Sequence, residues 1–305
     1  MNEELVIRLA RPEDRPAMER ICAHTWESGD YIQEVWDEWL LGEDGPLLVA
    51  ELDGEVVSLN KLTHHPAGQL WLEGMRVDPD YRVRGVARRC LDWNLAYAHE
   101  QGMRVVRLST GDYNVAVHKM VGHVGMERVT TGALRTAPAL PGVRRPAILG
   151  PGDAGAVGRF WQQSPVLAGM AGLYSRDWAW QELSEEQLAA MLRQGEVVAE
   201  VAPDGSLAAV ATIHHYPGDE EMWVGIADGE PGAVQALVLA IRAQAAEAGA
   251  QMARVMLPDV PWLQGAFQAA GYEVSDWAGE MWVFELRLEP GPASPGQGQA
   301  GGRGR

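Results

Sequence analysis

Residues 74–93, "GMRVDPDYRVRGVARRCLDW", decide how this chain folds. They begin at the end of an alternating apolar run, "QLWLEGMRV" (69–77), which reads as a strand closed by Asp78-Pro79-Asp80. They end inside a helical pattern that starts at Gly85 and that Gly102 stops. Between strand and helix, Arg82, Arg84, Arg88 and Arg89 crowd around Gly85, in a chain whose formal net charge is -17. The N–H groups at a helix N-terminus point outward unpaired, and the helix dipole adds positive potential there. Gly85 lets a ligand approach the backbone, Ala87 leaves room beside it, and arginine offers forked donors. The stretch therefore fits an anion site of pyrophosphate type, and equally a solvated basic turn ahead of a helix.

The patterns on either side read β-α-α-β-β-β-α-β-α-β over the first half. "LVIRLA" (5–10) is a strand, and residues 11–26 and 31–41 are amphipathic helices. "PLLVAEL" (46–52) and "EVVSLNKL" (55–62) form a hairpin across Asp53-Gly54. The strand 104–111 and the helix 114–125 follow. The second half echoes this order: residues 148–161 repeat the opening, 197–213 the hairpin, and Gly249 and Gly271 stand for Gly102 and Gly125. The spacing predicts a tandem duplication joined by the proline-containing linker 135–146, with domains at 1–138 and 139–290 and a disordered Gly/Pro/Gln-rich tail at 291–305.

The acidic balance falls in both halves and argues against nucleic acid as a partner. No apolar run approaches the roughly 20 residues of a membrane span, and the start lacks the blocks of a signal peptide. Two cysteines, Cys22 and Cys90, fit packed thiols in a reducing cytoplasm. No metal is expected, and a homodimer is left open.

Residues 74–93 resemble the signature of the GCN5-related N-acetyltransferase (GNAT) family. In that family a strand ending in V-x-P precedes Q/R-x-x-G-x-G/A and a long helix. Val77 and Pro79 match the strand exit, and Arg82, Gly85 and Ala87 fill the hexapeptide. Asn114 matches the residue that opens the family's next helix, and Gly125-Met126 stands for its closing G-F. The resemblance implies an α/β (α+β) fold of two GNAT-type domains, each a mixed, mostly antiparallel, splayed sheet flanked by helices. It implies acetyl-CoA as acyl donor, with the pyrophosphate on Arg82, Val83, Arg84, Gly85, Val86, Ala87 and Arg88. The pantetheine would lie along Met75, Arg76 and Val77, with Asn114 beside the cofactor. An amine acceptor would attack the thioester directly.

Glu73 is the candidate base, two residues before Met75, with Gly74 able to form a bulge that re-aims it. The family's tyrosine acid falls on Val121, which cannot serve. Residues 27–44 hold Glu27, Asp30, Glu34, Asp37, Glu38, Glu43 and Asp44, a solvated helix face or a lure for a cationic acceptor. In the second half, Gly232 is set against Gly85, and Asp228 and Glu230 would repel CoA there. That copy is read as degenerate. A non-catalytic CoA-binding module is the rival to the N-acetyltransferase, and a nucleotide-phosphate binder stands third.

Overall fold

The computed structural model describes residues 4–23, 25, 29–82, 84–275 and 279–289. In chain order the first elements are β1 (Leu5–Leu9), α1 (Arg15–Cys22), α2 (Ile32–Leu41), β2 (Leu47–Leu52), β3 (Glu55–His65), β4 (Gln69–Val77) and α3 (Val86–Glu100). Then come β5 (Val105–Gly111), α4 (Val115–His123), β6 (Glu127–Pro138), β7 (Ala147–Ile148), α5 (Ala154–Gln162) and α6 (Pro165–Gly169). A hairpin of β8 (Leu173–Arg176) and β9 (Ala179–Glu182) leads to α7 (Glu185–Gln194), β10 (Val197–Val201), β11 (Leu207–His214) and β12 (Glu221–Gly229). The chain closes with α8 (Pro231–Ala248), β13 (Met252–Leu257), α9 (Pro261–Ala269), β14 (Glu273–Val274) and β15 (Glu280–Arg287).

The described residues divide into two compact units, one running to Val106 and taking in the segment from Leu286, the other Arg107–Glu285. In the first, β1, β2, β3 and β4 pair antiparallel in that order. Asp53 and Gly54 both have positive φ, the backbone that a two-residue hairpin turn requires. One face of the sheet packs on α1 and α2. There Met18, Ile21, Ile32, Trp36 and Trp39 meet Leu47, Val49 and Leu59. The spacing of Ile32, Trp36 and Trp39 is that of one helix stripe, which is why α2 lies with those residues inward. On another part of the sheet, Val86 and Cys90 of α3 pack with Ala50, Leu52 and Val57. Arg8 ties β1 to the first helical turn, donating through both terminal nitrogens to Asp14 at 2.7 and 2.8 Å.

In the second unit, β6 lies between β13 and β15, antiparallel to both. Beyond β13 the order continues β12, β11, β10, β7, with β12 and β13 parallel. A long β6 is therefore an interior strand of its sheet. This corrects the linker placed at 135–146: residues 135–138 are strand, paired with Met252–Val255, and only the segment after Pro138 connects. Arg107 is buried here, donating to Glu285 at 2.7 Å and to Glu182 at 2.8 Å. The order β-α-α-β-β-β-α-β-α-β recurs from β7 onward, with the β8–β9 hairpin, α7 and the short β14 added. The proposed tail at 291–305 lies outside the described residues, as do Val83 and Glu27.

Candidate active site

The site is built on β4. Leu59 pairs with Arg76 and Lys61 with Glu73, so Gly74 and Met75 stand opposite Asn60 alone. That is a β-bulge at the place the sequence suggested. Gly74 has φ +63, and a Cβ there would lie 2.8 Å from two ring carbons of Trp39. Only glycine meets both conditions. The bulge interrupts the strand directly after Glu73.

Glu73 is half-buried and accepts a hydrogen bond from Thr63 Oγ1 on β3. Burial raises its carboxyl above the ordinary value. The Thr63 hydrogen bond and the charge of Lys61 act against that rise, and Asp44 adds to it. Tyr31, just ahead of α2, keeps part of its ring exposed, and its phenol is raised first by desolvation and then by the charge of Glu73. Tyr31 also meets the Trp39 ring edge-on at 6.0 Å. Neither Tyr31 nor Thr63 stood out in the sequence. Thr63 follows from register, two residues beyond Lys61 on the same face, whereas Tyr31 had no signal of its own.

Arg76, expected beside the cofactor, turns its side chain to Asp30. Nε donates to Oδ2 at 2.7 Å and Nη2 to Oδ1 at 3.2 Å. Asp30 has no exposed side chain, so it is no part of a surface lure. Asp37 pairs with Arg15 and Asp44 with Lys61. Of the segment's six described carboxylates, Asp30, Asp37 and Asp44 are thus paired, the last two at exposed positions, and Glu34, Glu38 and Glu43 are exposed. Met75 and Val77 lean toward the core beside Val86.

Past β4, Asp78 accepts from the Asp80 amide and from Arg20 Nε at 3.1 Å, fixing the turn that leads to the arginine loop. Gly85 is the N-cap of α3, with φ +78, no side-chain cap, and open space where a Cβ would project. The N–H groups of the first turn, Val86 to Arg88, are those an α-helix leaves without an internal partner. Arg82 and Arg84 are exposed around them, Arg84 lying over the Tyr81 ring at 5.0 Å. A cavity of ≈ 480 Å³ opens beside the loop, lined by Arg20, Glu55, Asp78, Tyr81 and Arg84 among others. Arg88 pairs with Asp92 one turn on, and Ala87 is half-buried.

Asn114 belongs to the second unit and caps α4. Its Oδ1 accepts from the Val117 amide, and its Nδ2 donates to Thr110 Oγ1 at 2.9 Å. Val121 is fully buried, and His118 stacks on Trp282 at 4.6 Å.

The second copy keeps the bulge and loses the rest. Thr212 pairs with Ile226 and Ile213 with Val224, so Gly225 is its counterpart of Gly74 and Val224 of Glu73. A Cβ on Gly225 would lie 2.7 Å from Ser175 O, because the β8–β9 hairpin is seated on the bulge. β12 ends at Gly229 and α8 begins at Pro231, so Glu230 alone separates them, where residues 78–85 separate β4 from α3. This corrects two expectations. Gly232 lies inside α8 and does not correspond to Gly85. Asp228 is buried, accepting from Ser164 Oγ and the Val166 amide, and does not face a cofactor.

Residues 11–126 match the family model described as Acetyltransferase (GNAT) family. Comparison with curated proteins gave no match. Among solved structures, a GCN5-related N-acetyltransferase from Sphaerobacter thermophilus superposes with TM-score 0.64 at 15% identity, over 94% of this chain and 97% of that one. A tandem GNAT protein from the clavulanic acid biosynthesis pathway gives 0.54 at 13%, over 95% and 99%. A glucosamine N-acetyltransferase region in a fungal multi-domain β-N-acetylglucosaminidase gives 0.61 at 12%, over 94% of this chain and 38% of that one. At these identities the structures establish the fold. Residues 11–126 are thus similar to the acetyltransferase (GNAT) family, and the chain as a whole shares its fold with GNAT structures, a tandem GNAT protein among them.

Proposed function

We propose that the protein transfers an acetyl group from acetyl-CoA to a primary amine of a small molecule or peptide, using the first copy, residues 1–138. The observation that carries this is Glu73: a half-buried carboxyl, raised by burial, set directly before the Gly74 bulge on the strand that leads to the uncapped start of α3. The pyrophosphate rests on the first-turn amides of α3 between Arg82, Arg84 and Arg88, and the pantetheine runs along Met75 to Val77. The acceptor nitrogen attacks the thioester carbon, and its proton passes to Glu73 directly or through one water. Amides of β4 hold the oxyanion. The C–S bond then breaks, and the CoA thiolate takes a proton from solvent, since the tyrosine position is the buried Val121.

Direct attack is supported by the cysteines. Burial pushes the Cys22 thiol up to about 12 and raises that of Cys90, so neither supplies a thiolate for an acyl-enzyme. Both are free and buried, in keeping with a cytoplasmic protein. No helix among the described residues is long and apolar enough to cross a membrane. Residues 139–290 are read as a second domain without a cofactor of its own, and the exposed Glu34, Glu38 and Glu43 favour a cationic acceptor. The test is release of CoA thiol from acetyl-CoA across an amine panel, with Gly85→Glu and Glu73→Gln as controls. Turnover lost in both supports the reading. CoA binding with no release against every amine would leave a binding module instead.

A further inference from the structure

Lys61 departs from ordinary residue placement, since charged side chains default to the surface. A lysine in the middle of β3 is 0% exposed. Its Nζ donates to Asp44 Oδ1 at 2.5 Å, Gly45 O at 3.0 Å and Leu62 O at 3.1 Å, which uses all three ammonium donors. None of the three goes to Glu73, although Glu73 is its cross-strand partner on the same face. In the degenerate copy the same pair is Ile213 and Val224. Where the carboxylate is gone, the buried cation is gone with it.

We propose that Lys61 and Asp44 are positioning residues for Glu73, a buried cation and its half-exposed partner that hold the segment after α2 in place and set the charge around the carboxyl. Gly45 leaves no room for movement: a Cβ there would lie 2.2 Å from Leu62 O, so the turn is pressed on β3 where Lys61 ties it. That turn follows Trp39, the residue packed on the Gly74 bulge. Of the other groups that bear on Glu73, Thr63 on β3 donates to it and Tyr31 before α2 feels its charge, while Arg76, three residues on along β4, is paired with Asp30. Lys61 and Asp44 therefore act on the carboxyl with opposite sign, the first favouring its charged form and the second opposing it. This inference rests on Glu73 as the base.

The test is the titration of the Glu73 side-chain carboxyl in the full chain, followed by carbon-13 NMR and assigned by its loss in Glu73→Gln. Lys61→Met should move the midpoint to higher pH, Asp44→Asn to lower pH, and the double variant back toward the parent. The acid limb of kcat/KM should move the same way in each. If the pair acts only by packing, both single variants loosen the turn, admit water and move the midpoint down together. That result, or no movement in either, overturns the proposal. Should Lys61→Met not fold, Asp44→Asn against Asp44→Glu decides, because only loss of the charge should shift the titration. An equal shift in both would overturn it. A Glu73→Gln protein with parental turnover would remove the base assignment while the titrations stood, so the two readings fail separately.

Discussion

Gly74→Ala should damage both stability and activity, and the size of the damage follows from two separate terms. The first is backbone: at φ +63 an L-residue loses about 1–2 kcal/mol relative to its preferred conformations. The second is steric: the new Cβ would sit 2.8 Å from Cη2 and Cζ3 of Trp39, a buried indole that cannot swing away, and such overpacking costs about 1–3 kcal/mol. Restricting the unfolded chain returns about 0.4–1 kcal/mol. The net expectation is a loss of about 2–4 kcal/mol, read as a lower denaturation midpoint with unchanged slope. Trp39→Leu separates the terms. It removes the ring, so in the double variant the steric part vanishes and the backbone part stays. The two losses should then be less than additive by about 1–3 kcal/mol. Additivity within about 0.5 kcal/mol, or a Gly74→Ala protein as stable as the parent, would refute the bulge argument. The same variant should lose turnover, because straightening the strand moves Glu73.

Glu73→Gln should lower turnover about 10²–10⁴-fold, the usual worth of a positioned base, yet raise stability at neutral pH. A carboxyl raised in the fold contributes stability that is complete below its unfolded value, 4.5, and lost as pH rises through its folded value, so the glutamine protein should gain on the parent above that window and not below it. Asp14→Asn should cost about 2–3 kcal/mol at pH 7 by breaking the twofold Arg8 contact. Burial raises the Asp14 carboxyl, but hydrogen bonds from Arg8 and the Arg11 amide outweigh it and hold it below 3.8, so this cost should fade only as pH falls below that value in denaturation profiles. Asp228→Ala should destabilise by about 1–3 kcal/mol, since Ser164 and the Val166 amide lose their acceptor, with CoA affinity in calorimetry unchanged.

The parts of the first copy that were legible in the sequence carry a local signal. Asp53-Gly54 needs only its own two residues to specify the hairpin, and Gly85 with its arginines marks the helix start. The bulge at Gly74 was visible as a glycine inside a strand, but its reason, the Trp39 ring, comes from a helix more than thirty residues earlier. Lys61 and Asp30 were invisible for a general reason. Charged residues default to the surface, and only strand register and a partner far along the chain show that these two are inside. The second copy was legible in outline because Gly249 and Gly271 recur. The β8–β9 hairpin was not, because it has no counterpart in the first half from which to read it. The shortened loop was misplaced for a related reason: sliding a fixed offset assigns Gly232 to a turn, whereas Pro231 already starts the helix. β6 was cut short because its prolines look like linker, though Pro138 stands at the strand's last position, where a missing N–H is tolerated.

The central claim is a single working cofactor site at the start of α3. Isothermal titration of the full chain with CoA measures it directly. One CoA per chain should bind, and binding should vanish in Gly85→Glu, where a side chain and a negative charge enter the open space before the first-turn amides. Two CoA molecules per chain would contradict the degenerate second copy, and unchanged binding in Gly85→Glu would contradict the site itself.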